Sequence, residues 1–290
     1  MSKVYVIGAT GGIGSKVVKE LLEKNVQVTA LVRNSSKAEQ LFGQPANLTL
    51  VKGDYEKDLD GYKSTIAGHD RLFLLVHSRY MPAIKLNLAT IAYAAGVQQV
   101  VQVSSASVCG PWRASFIASQ HYDSEVGLLG IPNRGKYVTL RPNQFFSNHL
   151  FSDDKTIRAK NVIYGSADPD LGLHWVSPND IAKVAVTVMT EPVEKHDDCV
   201  YDLTSVKYTG NERAAIISKV LGKEIKYVQI PVEQRYKIFT DVVHMPHFVA
   251  IGLVSVEDFV SPVNKALPIL LGRPVEGLDA WFEANKEKFL

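Results

Sequence analysis

Short apolar runs alternate with longer amphipathic segments along the first half of the chain. The runs are rich in β-branched residues and almost free of charge, which is typical of strands that helices cover on both faces of a parallel sheet. They predict strands at residues 3–7, 27–32, 48–52, 71–76, 98–104 and 136–140. The amphipathic segments predict helices near residues 13–24, 36–42, 59–67, 82–95 and 116–129. Strands and helices in this alternating order indicate an α/β fold.

The pattern changes after Pro142. It predicts a helix at residues 178–189, a strand at 199–203, a helix at 212–221 and a strand at 225–229. From Pro231 onward the prediction is helical, with interruptions at Pro246, Pro262, Pro268 and Pro274. We therefore expect a doubly wound parallel sheet of the Rossmann type with a small C-terminal α/β lobe. Residues 1–150 would form the nucleotide-binding core, and residues 151–290 the remaining core elements and the lobe, in one compact unit.

Composition and charge exclude several classes of partner. The 290 residues are 46% hydrophobic and 21% charged, with a formal net charge of +2 and no long basic block, so we expect no direct contact with nucleic acid. No stretch approaches the ~20 apolar residues of a membrane span. Cys109 and Cys199 show neither disulfide nor metal-ligand spacing, and His244 and His247 lack a third ligand. We expect a cytoplasmic protein without a metal, either a monomer or a homodimer.

The most informative segment is the glycine-rich turn between the first predicted strand and the first predicted helix. Gly8 allows the chain to turn sharply, and Gly14 allows the helix to pack closely on the strand. Gly11 and Gly12 leave room for a pyrophosphate beside the backbone amides at the start of the helix. The alternative is a structural turn that binds no nucleotide, but the position between strand and helix favours a dinucleotide site.

The end of the second predicted strand selects the nucleotide. An NAD site usually places an acidic residue here, whereas an arginine accommodates the 2′-phosphate of NADP. The strand ends at Arg33 and Asn34, with no acid at that end. Arg33 therefore favours NADP(H), because a guanidinium can bind a phosphate with two hydrogen bonds. The alternative is that Arg33 is only a solvated residue at a strand end.

Three motifs together resemble a known family. They are Gly-Ala-Thr-Gly-Gly-Ile-Gly at residues 8–14, Leu-Val-Arg-Asn at 31–34 and Gly-Asp-Tyr at 53–55. This set is similar to the NmrA-like group of atypical short-chain dehydrogenases, which includes NADPH-dependent quinone oxidoreductases and NADP-sensing transcriptional co-regulators. The resemblance continues through residues 72–76, 100–105, 121–125, 140–142, 178–182 and 277–289, and so covers nearly the whole chain.

The resemblance implies a role for residues after each strand. The glycine turn would hold the pyrophosphate and Arg33 the 2′-phosphate, while Asp54 and Tyr55 would lie near the adenine. Residues 76–78 would follow the ribose, and residues 104–105 and 143–145 would approach the nicotinamide from two sides. The implied cofactor contacts are Gly8, Thr10, Gly11, Gly12, Ile13, Gly14, Arg33, Asn34, Asp54, Tyr55, Val76, His77, Ser78, Ser104, Ser105, His121, Pro142, Asn143 and Phe145.

The chain departs from the catalytic pattern of the short-chain dehydrogenases. Many of those enzymes use a serine together with a tyrosine and a lysine on the following helix. Aligning Glu125 with the glutamate that often follows this lysine puts His121 at the lysine position and Ile117 at the tyrosine position. Ser104 would fill the serine position. The tyrosine is thus absent, and alcohol dehydrogenase chemistry is not expected.

Two main functions remain open. In the favoured one, NADPH reduces a quinone, an enone or a small carbonyl compound, with Ser104 and His121 as the candidate catalytic residues. An imidazole with an unperturbed pKa of about 6.5 suits proton transfer near neutrality, although His121 could instead bind the ribose or be structural. The alternative is a non-catalytic redox sensor that binds NADP(H) and acts through a protein partner. A reductase or isomerase for one specialised metabolite is also compatible with the sequence.

Overall fold

A computed structural model describes residues 2–260 and 265–290 of the chain, so the predicted interruption at Pro262 lies outside the described residues. The strands are β1 Lys3–Ile7, β2 Gln27–Val32, β3 Leu48–Lys52, β4 Arg71–Leu74, β5 Gln99–Val103, β6 Lys136–Pro142, β7 Gln144–Phe145, β8 Val162–Gly165, β9 Leu173–Val176, β10 Val200–Leu203, β11 Lys207–Tyr208 and β12 Lys226–Gln229.

The helices follow the same alternation. They are α1 Gly14–Glu23, α2 Ser35–Phe42, α3 Asp60–Thr65, α4 Met81–Ala94, α5 Phe116–Leu129, α6 His149–Ser152, α7 Asp154–Lys160, α8 Pro178–Thr190, α9 Val193–His196, α10 Gly210–Leu221, α11 Val232–Lys237, α12 His247–Val254, α13 Ala266–Leu271 and α14 Leu278–Asn285. Short 3₁₀ turns lie at Ala106–Cys109, Phe146–Asn148 and Lys286–Lys288, and a π-helical turn at Ile238–Val242. Within the described ranges, no helix is long and apolar enough to cross a lipid bilayer.

Seven parallel strands form the central sheet, in the order β10-β6-β5-β4-β1-β2-β3. Val6 of β1, for example, pairs with Ala30 of β2 on one side and Phe73 of β4 on the other. The predicted doubly wound Rossmann-type sheet is confirmed. The strand order reverses between β1 and β4, and ligands of open α/β sheets bind in the crevice beyond the carboxyl ends at such a point.

Helices bury both faces of this sheet. On one face α1, α8 and α13 contribute Val17, Ile181 and Leu267 to a continuous apolar core. On the other face α3 and α4 contribute Tyr62 and Leu88 to a second core. Because both faces are covered, the strands can be apolar throughout, which explains why the sequence pattern located them.

The small lobe has its own core and two small sheets. One sheet has the order β11-β9-β7, and the other pairs β8 with β12 in parallel. Phe146, Trp175, Ile217 and Trp281 pack together in the lobe core. Only Asn143 separates β6 of the central sheet from β7 of the lobe, so the lobe begins directly at the carboxyl edge of the central sheet.

The C-terminal segment is tied to the start of α8. The buried carboxylate of Asp180 accepts a 2.7 Å hydrogen bond from Arg273 Nη2 and a 2.8 Å bond from the backbone N–H of Glu276. Ser177 caps α8 by accepting from the backbone N–H of Asn179. These bonds place α14 against the lobe core.

Candidate cofactor and acceptor site

The glycine turn after β1 depends on two glycines for its shape. Gly8 has a φ of +83°, and a Cβ there would lie 2.4 Å from the carbonyl oxygen of Leu75. A Cβ at Gly14 would lie 2.1 Å from the carbonyl oxygen of Gly8. Neither position has room for a side chain, because the neighbouring atoms belong to the backbone. The turn therefore brings α1 into direct contact with β1.

The outer part of the turn is open and rich in donors. Gly11 and Gly12 are exposed, and a Cβ on Gly12 would meet no atom within 4 Å. Ile13 at the N-cap of α1 provides no capping side chain, and the first turn contains no acidic residue. Within the part of the chain that the structure describes, the backbone N–H groups of Gly12 and Ile13 have no protein acceptor. Free amides at a helix N-terminus bind phosphate, so this turn fits a pyrophosphate.

Arg33 stands at the adjacent strand end. It follows β2, is exposed, and forms no ion pair with any residue in the described ranges. The backbone N–H of Gly53 donates a 3.1 Å hydrogen bond to the carbonyl of Val32. This bond brings the loop that carries Asp54 beside Arg33. The guanidinium of Arg33 is thus free to bind a phosphate at the edge of the sheet.

Two other residues predicted at the adenine end, Asn34 and Asp54, accept hydrogen bonds within their own turns. Asn34 Oδ1 accepts a 3.0 Å hydrogen bond from the backbone N–H of Lys37 and so caps α2. Asp54 Oδ1 accepts a 3.0 Å bond from the backbone N–H of Glu56. Tyr55 is half-buried and forms one wall of an open cavity of about 500 Å³ between its loop and α4.

The segment after β4 faces the same crevice. The backbone N–H of Leu75 donates a 3.3 Å hydrogen bond to the carbonyl of Ile7, which keeps this segment beside the glycine turn. Val76 is buried, whereas His77 is exposed. Ser78 Oγ accepts a 3.1 Å bond from the backbone N–H of Tyr80 ahead of α4.

A buried polar network closes the end of β5. Ser104 Oγ donates a 2.5 Å hydrogen bond to Glu125 Oε1, and Arg141 Nε donates to the same oxygen at 3.0 Å. Arg141 Nη2 contacts the second carboxylate oxygen, and the hydrogen bond to Glu125 raises the pKa of Arg141. Ser105 caps the following 3₁₀ turn. The hydroxyl of Ser104 is therefore held by a carboxylate.

His121 and Lys85 lie behind this network. Lys85 of α4 is fully buried, and its Nζ donates a 2.9 Å hydrogen bond to the carbonyl of Val103. Burial lowers the pKa of Lys85 to about 7, although the charge of Glu125 acts in the opposite direction. Burial, with the nearby Lys85 and His77, holds the pKa of His121 well below its usual value. His121 is therefore neutral near pH 7, and its buried Nδ1 has no partner among the described residues.

The segment after β6 completes the crevice. Pro142 is buried, and the backbone N–H of Asn143 donates to the carbonyl of Leu203 at 3.5 Å. Phe145 packs against the core of the central sheet. Gln144 points into the lobe instead, where its Nε2 donates a 3.0 Å bond to the carbonyl of Glu257.

The structure thus places every predicted cofactor residue except His121 at the carboxyl ends of six neighbouring parallel strands, or in the segments that directly follow them. His121 lies on α5, one helix further along the chain. The sequence did not predict Lys85 or the pairing of Glu125 with Arg141. A signal for Lys85 was present, since it occupies the buried stripe of α4 together with Met81, Leu88, Ala89 and Ala92.

Comparisons with known proteins give the family and the fold of this chain. The model of the family described as NmrA-like matches residues 1–289. An NAD(P)H azoreductase from Xenophilus azovorans is 26% identical over 302 aligned positions, covering 99% of this chain and 99% of the azoreductase. An NADPH-dependent quinone oxidoreductase from Escherichia coli, solved in complex with NADPH, has a TM-score of 0.82 at 25% identity and covers 98% of this chain and 99% of its own.

A negative transcriptional regulator has the same fold. Its structure in complex with NADP gives a TM-score of 0.76 at 17% identity, over 97% of this chain and 94% of the regulator. At this identity the likeness shows the fold alone.

Proposed function

The chain belongs to the NmrA-like family, and we propose that it is an NADPH-dependent reductase of a quinone, an enone or a small carbonyl compound. The observation that carries the proposal is the open amide-lined N-terminus of α1 beside the unpaired Arg33. Phosphate groups bind to such amides, and a free guanidinium favours a 2′-phosphate over a 2′-hydroxyl. The predicted cofactor, NADP(H), agrees with the comparisons, since the quinone oxidoreductase was solved with NADPH.

The residues of this chain would bind the cofactor along the crevice. Gly8 and Gly14 shape the turn, the amides of Gly12 and Ile13 bind the pyrophosphate, and Arg33 binds the 2′-phosphate. Residues 76–78, Ser104 and Ser105 follow toward the nicotinamide end, with Asn143 on the opposite side. NADPH, when bound, supplies a hydride to the acceptor.

The states of Ser104 and His121 favour one acceptor class over another. Reduction of a simple carbonyl produces a strongly basic alkoxide, which requires an acid in the site. The hydroxyl of Ser104 donates its hydrogen bond to Glu125, and His121 is neutral near pH 7, so neither is arranged as that acid. A quinone accepts a hydride to give a much less basic hydroquinone anion, which water can protonate. We therefore place quinones ahead of small carbonyl compounds, with azo compounds as a further class because of the azoreductase relative.

A second candidate function is a redox sensor. The hydroxyl of Ser104 is hydrogen-bonded to Glu125, and His121 is neutral. Both features also suit a site that binds NADP(H) without turnover. In that case a protein partner would distinguish the two cofactor states.

The deciding experiment is anaerobic NADPH oxidation by the pure protein with a quinone, an enone, an azo dye and an aldehyde. NADH serves as the control cofactor, and calorimetry measures the binding of both. We expect turnover that prefers NADPH and is faster with the quinone than with the aldehyde. Tight NADPH binding without turnover of any acceptor would contradict the reductase and favour the sensor. Equal binding of NADPH and NADH would contradict the cofactor assignment.

A further inference from the structure

An interior cavity of about 80 Å³ lies in the small lobe, where the central sheet ends. Its lining includes Gln144, Tyr164, Trp175, Arg213, Tyr227 and Arg235. Gln144 comes two residues after Pro142, the last residue of β6, so the cavity begins beside the proposed nicotinamide end of the crevice. Phe151, which also lines the cavity, is 40% exposed and marks its side toward solvent.

Arg213 of α10 is a buried cation that forms no ion pair with a described residue, although the charges of Asp153 and Glu257 act on it from nearby. Only 8% of the residue is exposed. Its guanidinium carbon lies 4.6 Å from the ring centroid of Trp175 and 5.6 Å from that of Tyr227. The side chain of Arg213 makes no hydrogen bond or ion pair with any residue in ranges 2–260 and 265–290, and its buried Nε has no acceptor. A buried charge without hydrogen bonds is costly, so this arrangement favours an anionic ligand.

Arg235 adds a second donor to the cavity. Its Nε donates a 3.2 Å hydrogen bond to Glu257 Oε1, while its buried Nη1 has no acceptor within the described part of the chain. The other carboxylate oxygen of Glu257 accepts a 2.6 Å bond from Ser166 Oγ. Both carboxylate oxygens of Glu257 thus already accept a hydrogen bond, and neither accepts one from Arg213.

The remaining polar groups leave an excess of donors. The indole Nε1 of Trp175 is buried without an acceptor. Asp153 Oδ2 pairs with His149 Nδ1 at 2.5 Å, and among the described residues that line the cavity only Asp153 Oδ1 is a buried acceptor without a partner. Burial acts to raise the pKa of Asp153, but the hydrogen bond from His149 and the charges of His149, Arg235 and Arg213 together outweigh it, so the pKa is lowered. Burial also lowers the pKa of His149. Asp153 and Glu257 therefore balance the two arginines in charge, while three nitrogen donors still lack acceptors.

We propose that this cavity binds a carboxylate group of the acceptor molecule, with Arg213 and Arg235 as its donors. A carboxylate supplies oxygen acceptors to two guanidinium groups, for which its geometry is well suited. One water molecule needs ~10–15 Å³ of such space, so the cavity holds a group of this size. The inference rests on the proposed reductase function, because it assigns the anion to the compound that is reduced next to Gln144.

The experiment compares azobenzene-4-carboxylate with its methyl ester. Calorimetry measures their binding to protein saturated with NADP⁺, in which no hydride is available and binding is separated from turnover. We expect the wild type and the control Arg158→Gln to bind the acid about tenfold or more tightly than the ester. Arg158 is a suitable control because it is an exposed arginine of the same lobe, outside the cavity.

Arg213→Gln should remove the preference for the acid and leave the affinity for the ester unchanged. Arg213→Lys, which keeps the charge but not the paired donors, should show an intermediate preference. Equal affinity of the wild type for acid and ester, no saturable binding of the acid, or an unchanged preference in Arg213→Gln would each overturn the proposal. If Arg213→Gln does not fold, the comparison of acid with ester in the wild type decides.

The two proposals fail in different ways. Arg213-dependent binding of the acid without NADPH oxidation by any acceptor would overturn the reductase and keep the anion site. NADPH oxidation at the same kcat/KM for acid and ester, with equal affinities, would overturn the anion site and keep the reductase.

Discussion

The hydroxyl of Ser104 donates a 2.5 Å hydrogen bond to the carboxylate of Glu125, and so joins the end of β5 to α5. The same carboxylate accepts from Arg141 at 3.0 Å, and Glu125 is only 6% exposed. Removing this carboxylate leaves the buried hydroxyl of Ser104 and the Nε and Nη2 groups of Arg141 without their acceptor, while Arg141 Nη1 keeps its contacts with Cys109 and Asp202. We expect Glu125→Ala to lower the free energy of unfolding by about 3 kcal/mol. Ser104→Ala should lower it by about 1 kcal/mol, since one hydrogen bond is lost.

Urea unfolding followed by circular dichroism measures both losses. Glu283→Ala is the matched control, because Glu283 is exposed on α14 and forms no ion pair within the described part of the chain. Its effect should stay within about 0.5 kcal/mol. A loss for Glu125→Ala as small as that of the control would contradict the network.

Arg33 should select the cofactor. We expect Arg33→Ala to raise the Kd for NADPH by about tenfold or more and to leave the Kd for NADH nearly unchanged, because only NADPH carries the 2′-phosphate. Since Arg33 is exposed, its loss should not alter stability. Fluorescence titration of both nucleotides gives the two values, with Arg158→Ala as the control. Equal losses for NADPH and NADH would refute this assignment.

Gly12 and Gly14 should respond differently to an added methyl group. Ala at position 14 would place Cβ 2.1 Å from the carbonyl oxygen of Gly8, so we expect Gly14→Ala to destabilise the fold by several kcal/mol. Ala at position 12 meets no protein atom within 4 Å. Gly12→Ala should therefore keep the wild-type melting temperature and weaken NADPH binding by about tenfold, because the methyl occupies space for the pyrophosphate. Unchanged NADPH binding in folded Gly12→Ala would place the phosphates elsewhere.

Lys85 should make stability depend on pH. The unfolded chain keeps this lysine protonated up to about its ordinary pKa of 10.5, whereas the folded protein releases the proton near 7. Between these values unfolding takes up a proton, so the contribution of Lys85 to stability rises with pH. At neutral pH we expect Lys85→Met to be more stable than the wild type by about 1–4 kcal/mol. The difference in the free energy of unfolding between Lys85→Met and the wild type should be smaller by about 2 kcal/mol at about pH 9 than at neutral pH.

Urea midpoints of the two proteins at both pH values test this. Lys63→Met is the control, because Lys63 is an exposed lysine. A difference between wild type and Lys85→Met that stays constant with pH would mean that Lys85 is charged in the folded protein.

His121 should act as a hydrogen-bonding group. Because its pKa is held well below the usual value, the imidazolium form is absent near neutrality. We expect His121→Ala to weaken NADPH binding several-fold, as the loss of about one hydrogen bond would, and to leave kcat with a quinone within about threefold. His121→Asn should restore part of the affinity. A fall in kcat of about a hundredfold or more with intact binding would instead identify His121 as a general acid.

Parts of this fold can be predicted from the sequence, because the local hydrophobic pattern agrees with the tertiary environment there. The strand at Lys3–Ile7 is apolar from Val4 to Ile7, and the helices on both faces require that. The short strands β7, β8, β9 and β11 were not predicted, since strands of two to four residues have few positions for a period to show. Predicted strand 71–76 ends at Leu74, and strand 136–140 continues to Pro142 because β10 pairs with it.

The buried cations were harder to predict for a different reason. Arg213 occupies the buried stripe of α10 with Ile217 and Leu221, so its unusual position is visible in the sequence. Which groups surround it is not visible, because Trp175 and Tyr227 come from distant strands. The spacing of residues along the helix shows that a charged side chain lies on the buried face. Only the three-dimensional structure shows whether an oppositely charged side chain lies next to it.

The walls of the lobe cavity come from residues after Pro142, whereas the glycine turn and Arg33 precede it. The two ends of the site can therefore diverge separately over evolutionary time. Substitutions at Tyr164 or Tyr227 would change which molecule fits the lobe without disturbing the nucleotide end. Proteins with this arrangement of cofactor and acceptor sites can keep one cofactor while they acquire new acceptors. They can also lose the acceptor and retain only the response to the nucleotide. The residues that line the lobe cavity can thus change during evolution while the glycine turn stays the same.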